Sequence, residues 1–196
     1  MNAPLKTALL LGSTLLVLLC ASCGRRKDAP LPPPPPPIDD FTLKNLVSEF
    51  PGEIQTADYA GQVQLVVFLR TDDPACRGSI PDWNVLQKDF APRGFTLLGA
   101  VVDDRRPDAI APEAIALGAV WPLGLADDPV ARAFGGPDAL RAIPTSFLLS
   151  RDGALLRAYA GFEPLPDLRD DISRALDGQP LADRKPQAVL PEDNTP

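Results

Sequence analysis

Two nearly continuous apolar runs, separated by a helical pattern, constrain the fold of this chain more than any other feature. The runs span residues 63–69 and 95–102, and apolar runs of this length are typical of strands buried on both faces of a parallel sheet. Between them, four large apolar residues recur at helical spacing and so share one face: Ile80, Trp83, Leu86 and Phe90. This order predicts a right-handed strand, helix, strand unit with the helix packed on the sheet.

The second half of the chain changes from a parallel to an antiparallel pattern. Helical stretches over residues 107–117 and 129–134 are followed by two apolar segments, 146–149 and 155–159. These segments flank Asp152-Gly153, a strong signal for a hairpin turn.

The two ends of the domain complete the pattern. A last helix carries its apolar residues on one face and stops at Gly178, a good helix cap. Residues 41–43 and 53–55 predict a small hairpin at the front. We therefore predict an α/β sandwich with a mixed sheet, in the order hairpin, β, α, β, α, short α, β-hairpin, α.

The first 22 residues have the layout of a secretory signal, because an uncharged apolar run follows the single cation Lys6. The end of the run, Ala21-Ser22-Cys23, resembles a bacterial lipoprotein signal, which implies that Cys23 is lipidated and becomes the mature N-terminus. Cys20 departs from that pattern, which usually has leucine there. A plain membrane anchor and simple secretion are the alternatives.

Proline marks the boundary between this leader and the domain. We expect residues 23–40 to be a proline-rich linker, whose prolines at 30–37 form an extended spacer of roughly 25 Å. The domain then spans residues 41–178. Residues 179–196 are largely polar, include four prolines and show no periodicity, which predicts a disordered tail.

Composition excludes several functional classes. The chain has a net charge of -7 and no basic stripe in the domain, so we expect no nucleic-acid partner. It contains no histidine, which excludes imidazole bases, and its three cysteines are too few and too separated for a zinc cage. We expect neither a metal nor a cofactor. The mixed charges of residues 103–106 predict a solvated loop rather than an anion site.

The segment after the first central strand resembles the active-site region of TlpA/ResA-type thioredoxin-like proteins. Five residues match that pattern: Thr71, Pro74, Cys76, Arg77 and Pro81. Asp72 stands where the family usually has tryptophan, and Asp73 stands at its first, nucleophilic cysteine. Residues 142–148 resemble the family's cis-proline segment, which implies a cis bond before Pro144. The resemblance implies a thioredoxin-like three-layer sandwich over residues 41–178, exported to the bacterial envelope and facing the periplasm.

Cys76, Asp73 and Pro144 are the candidate site residues that this resemblance implies. Dithiol exchange needs one thiol to attack and a second to resolve, and Cys76 is the only free thiol once the leader is removed and Cys23 is acylated. Asp73-Pro74 also has the pattern of a helix start, with aspartate as the cap. Cys76 is then either a buried structural residue or a thiol with weak, monothiol redox activity.

Two further functions remain open. Peroxiredoxins share this fold, and Cys76 would be their reactive cysteine, although Asp73 and Leu69 replace the threonine and proline of their motif. Alternatively, the backbone beside Pro144 could pair with an extended segment of another protein, which would make the domain a non-catalytic binding module. The expected partners are the membrane, through the lipid, and an extended segment or thiol of another envelope protein.

Overall fold

The computed structural model describes residues 38–47 and 52–183. The predicted signal peptide, Cys23 and most of the linker lie outside these residues. The strands are β1 Thr42–Asn45, β2 Glu53–Gln55, β3 Val63–Leu69, β4 Phe95–Val101, β5 Leu123–Leu125, β6 Thr145–Leu149 and β7 Leu155–Ala160. The helices are α1 Pro74–Phe90, α2 Pro107–Ala116, α3 Asp128–Ala133, α4 Gly136–Ala139 and α5 Leu165–Leu176.

The described strands form one mixed sheet in the order β2-β1-β5-β4-β3-β6-β7. The central strand β3 pairs in parallel with β4, with Val63 opposite Phe95, and antiparallel with β6, with Phe68 opposite Thr145. Both β3 and β4 are buried along their whole length. The predicted crossover unit and the predicted change to antiparallel pairing are both confirmed.

Strand β5 was not predicted. It lies between β1 and β4, and so it joins the front hairpin to the rest of the sheet. A Cβ atom at Gly124 would lie 2.6 Å from Cβ of Leu43, so the glycine allows this close approach. A strand of three residues is too short to produce an apolar pattern that can be read from the sequence.

Helices cover both faces of the sheet, as expected for a three-layer sandwich. On one face α1, α2 and α5 enclose a core that includes Cys76, Trp83 and Trp121. On the other face α3 and α4 cover a core rich in phenylalanine, in which the ring of Phe68 lies 5.1 Å from that of Phe134. Each fully buried large side chain contributes about 1.5–3 kcal/mol to stability.

The packed part of the chain continues a few residues past α5. Gly178 takes a positive φ of 65° after the helix, as its predicted capping role requires. Leu181 then packs against the core, and the Ala182 carbonyl accepts a hydrogen bond from Arg157. These contacts lie within the predicted tail, whose remaining residues, 184–196, are outside the described part. Among the described helices, none has the length and apolar character to cross a membrane.

Candidate functional site

Three predicted site residues meet at the edge of the sheet where β3 ends. Asp73 and Cys76 follow β3 directly, at the start of α1. Because β6 runs antiparallel to β3, it begins at the same edge, and Pro144 immediately precedes it. Pro144 is buried, and the Ile143–Pro144 peptide bond is cis, which confirms the prediction.

The start of α1 has the capping geometry that its sequence predicts. Asp73 is the N-cap, with extended backbone angles, and its carboxylate accepts a hydrogen bond of 2.8 Å from the backbone N–H of Cys76. Pro74 follows at the first helical position, where a missing N–H costs nothing. Asp73 therefore has a structural role as the cap of α1.

The Cys76 thiol is free and buried. Its residue has no exposed surface and belongs to the core beneath α1. Burial raises the pKa of the thiol to about 12, opposed by a hydrogen bond from the Arg70 backbone and reinforced by the charges of Asp73 and Asp72. The thiolate is the reactive form of a cysteine, and this environment favours the neutral thiol. The structural alternative is the one that this geometry favours.

Asp72, the residue before the cap, lies in solvent. It pairs with Arg70 at 3.1 Å, and that hydrogen bond lowers the pKa of the Asp72 carboxyl. Both side chains are more than a third exposed, so the pair adds little stability.

A network of charged side chains lies on the neighbouring loop, after β4. Arg105 donates to Asp103 at 2.6 Å, to Glu113 of α2 at 2.9 Å and to the Thr71 hydroxyl at 3.0 Å. Thr71 in turn donates to Glu113 at 2.7 Å. The Asp103 side chain is fully buried. The network ties the loops after β3 and β4 to α2.

The prediction of a solvated loop at residues 103–106 was therefore wrong for Asp103, whose side chain is buried, whereas the Arg105 side chain keeps 36% of its surface exposed. Arg106, by contrast, is exposed and pairs with the exposed Asp108, as that prediction requires. Both signs of charge were visible in the sequence. The missed signal is position, because polar residues at the carboxyl end of a parallel strand share an edge with those after the next strand.

Beside Pro144 lies a rim formed by Ile143 and Phe162. Within the described residues, neither the N–H nor the C=O of Ile143 takes part in a hydrogen bond. The Pro144 carbonyl accepts from the N–H of Gly161 at 2.8 Å, which places the next residue, Phe162, close to the same rim. Phe162 is 55% exposed, a large apolar side chain left in solvent.

Two other kinds of site have less support among the described residues. The described residues contain no group of three or more histidine, cysteine, aspartate or glutamate side chains that could hold a metal ion. A peroxide site would need a polarising hydroxyl and a proline in place of Asp73 and Leu69, and Leu69 is fully buried.

The sheet order, the helix after β3 and the cis-proline together define a thioredoxin-like fold. Residues 36–173 match the Redoxin family, and the chain belongs to that family. A search of curated proteins found no significant match.

Solved structures agree with this assignment. A protein of Chlorobium tepidum described as the thiol:disulfide interchange protein DsbE is 25% identical, with a TM-score of 0.63, covering 73% of this chain and 97% of that one. A thioredoxin-family thiol:disulfide interchange protein of Chlorobium tepidum TLS is 28% identical, with a TM-score of 0.63, covering 72% and 97%. A secreted thiol-disulfide isomerase of Corynebacterium glutamicum shares the fold at 21% identity and a TM-score of 0.63, covering 71% and 85%.

Proposed function

We propose that this chain is a cell-envelope thioredoxin-like protein with weak or no disulfide-exchange activity. The observation that carries the proposal is the state of Cys76, which is fully buried and has a pKa raised to about 12. With Asp73 at the position of the attacking cysteine, an intramolecular disulfide cannot form there, and a mixed disulfide with a substrate would lack its resolving thiol. The same burial argues against a peroxidase, which needs a thiolate.

The second candidate function, binding of an extended segment from another protein, is favoured by the rim beside Pro144. The backbone groups of Ile143 have no hydrogen-bond partner among the described residues, so they could pair with an extended segment, and the exposed Phe162 would supply an apolar contact next to them. Such a module would hold a partner without turnover. Low exchange activity and segment binding are compatible, because the first concerns the thiol and the second the rim.

An envelope location and a lipid anchor complete the proposal. The secreted isomerase among the structural relatives supports export, and Ala21-Ser22-Cys23 after the apolar run supports lipidation at Cys23. Mass analysis of the native N-terminus tests the anchor: we expect a lipidated Cys23 as the first residue. Retention of residues 1–22, or an unmodified start elsewhere, would contradict it and leave the domain assignment unaffected.

Thiol labelling tests the proposed lack of exchange activity. In a chain that starts at Gly24, Cys76 is the only thiol, and we expect it to react at pH 8 at least about 100-fold more slowly than in guanidinium, because little thiolate is present and the sulfur is buried. The matched control is Val120→Cys in a Cys76→Ala background, since Val120 is 59% exposed and should label at the rate of a free thiol. Native labelling of Cys76 at the control rate would overturn the proposal.

A further inference from the structure

The chain reverses after α5 and runs back along that helix. Gly178 has a positive φ, which permits the reversal. The guanidinium of Arg157 then donates to the Asp171 carboxylate at 2.7 Å and to the Ala182 carbonyl at 2.5 Å. Asp171 belongs to the middle of α5, so Ala182 lies alongside the helix rather than beyond its C-terminal end. The C-terminal segment leaves the described part while travelling toward the start of α5.

The start of α5 adjoins the rim beside Pro144. From Asp171 back to the first residue of α5 is about 9 Å along the helix axis. That first residue, Leu165, follows Gly161 by four positions, and the N–H of Gly161 donates to the Pro144 carbonyl. Residues 184–196 remain, and thirteen extended residues reach about 43 Å. The segment is long enough to cross the rim.

The sequence of this segment suits an extended apolar ligand. Residues 186–191 read Pro-Gln-Ala-Val-Leu-Pro. A proline disfavours helix at the residue before it, and a proline at each end limits pairing to the four residues between. Three of those four residues are apolar, so they could pack against the exposed ring of Phe162. The preceding Arg184-Lys185 would pass the start of α5, where Asp167 supplies opposite charge.

We propose that residues 186–191 occupy the rim formed by Ile143 and Phe162 as an intramolecular ligand. One or two backbone hydrogen bonds to Ile143 and contact of Val189 or Leu190 with Phe162 would hold the segment in place. An external extended segment would then bind only by displacing it, at a cost in apparent affinity. The inference rests on the proposed binding role of this rim and adds its regulation.

Hydrogen exchange at the Ile143 amide tests this occupancy in the full-length protein. In a Val189→Asp/Leu190→Asp variant, we expect the Ile143 amide to exchange at least about tenfold faster, because charged side chains leave the apolar contact. Asn194→Asp is the matched control, since it adds a charge to the same segment outside the proposed contact. It should leave the exchange rate unchanged, as should the reference amide of Val66 in β3 in both variants.

The peptide of residues 184–196, added to the double variant, should restore protection of Ile143 alone. Restoration supports the proposal even if Val66 also exchanges faster, and failure to restore it overturns the proposal. Unchanged exchange in the double variant likewise overturns it. In that case an unrelated peptide, Ser-Val-Leu-Val-Ser, distinguishes occupancy by the C-terminal segment from the binding role of the rim. If this peptide protects Ile143, only the occupancy by residues 186–191 is wrong. If it does not, both the occupancy and the binding role are wrong.

Discussion

The segments after β3 and β4 begin at the same edge of the sheet, yet their polar side chains have opposite environments. After β3, the thiol of Cys76 is buried among apolar side chains while Asp72 points into solvent. After β4, the side chain of Asp103 is buried, and the partly exposed Arg105 donates to both Asp103 and Glu113. After β3 the thiol of Cys76 lies in the apolar core beneath α1, whereas after β4 the charged side chains form hydrogen bonds with one another.

The difference explains why the thioredoxin-like geometry need not give thioredoxin-like chemistry. A cation or a helix N-terminus stabilises a thiolate, whereas burial destabilises it. Cys76 lies in the first turn of α1, but burial raises its pKa, and the anions Asp73 and Asp72 add to that effect. The charge of Arg105 is paired with two carboxylates, Asp103 and Glu113. The fold retains the position of an active site, while its electrostatics stabilise loops.

The sharpest way to break this contrast is to restore a thiol after β3. Asp73→Cys places two cysteines three residues apart at the start of α1, with the spacing that allows a disulfide to close. We expect the variant to reduce a model protein disulfide at least about tenfold faster than the parent, because the new thiol is partly exposed at a helix N-terminus, where thiolates are stabilised. Turnover with a dithiol reductant measures this.

Two variants separate this gain from a change in stability. Asp73→Ser keeps a capping oxygen without adding a thiol, and Asp73→Cys/Cys76→Ala keeps the new thiol without its resolving partner. Neither variant should reduce the model protein disulfide faster than the parent when the dithiol reductant is supplied. If Asp73→Cys forms no internal disulfide under oxidising conditions, then Asp73 does not occupy the position of the family's nucleophile.

The burial of Cys76 predicts a second, smaller effect. Cys76→Ser places a hydroxyl in a fully buried apolar site and should lower the free energy of unfolding by about 1–3 kcal/mol. Cys76→Ala removes only the sulfur atom and should cost less. Urea unfolding of both variants measures the difference. A serine variant as stable as the alanine variant would show that the hydroxyl finds a hydrogen-bond partner at this position, such as the Arg70 backbone or water, and would contradict a purely apolar environment for Cys76.

Local signals in the sequence were sufficient for part of this picture. The apolar runs of β3 and β4 and the Asp73-Pro74 cap depend on neighbouring residues, and the structure has them as predicted. Strand β5 owes its place to pairing with β1 and β4, which no local pattern encodes. The network around Arg105 likewise joins residues up to 42 positions apart. Contacts that depend on the assembled sheet could not be read from the chain alone.

The smallest effect that we expect concerns the hydrogen bonds around Arg105, which should change how the free energy of unfolding depends on pH. Hydrogen bonds from Arg105 and Thr71 lower the pKa of Glu113 from its ordinary value of 4.5 to about 2. Because the pKa of Glu113 is lower in the folded chain than in the unfolded chain, its ionised carboxylate stabilises the folded chain fully above pH 4.5. This contribution is lost as the pH falls toward 2. Glu113→Gln removes the titrating group, so its free energy of unfolding should be lower than the parent's at pH 6–7 and approach it below about pH 3.

Unfolding curves at a series of pH values measure this convergence. The matched control is Asp108→Asn, which removes a carboxylate from the exposed pair with Arg106 and should stay close to the parent throughout, because solvent screens that pair. If the curves of Glu113→Gln and the parent remain parallel down to pH 2, Glu113 titrates alike in the folded and unfolded chains. The loop after β4 would then be held by something other than its charges, and its contrast with the loop after β3 would reduce to burial of the thiol.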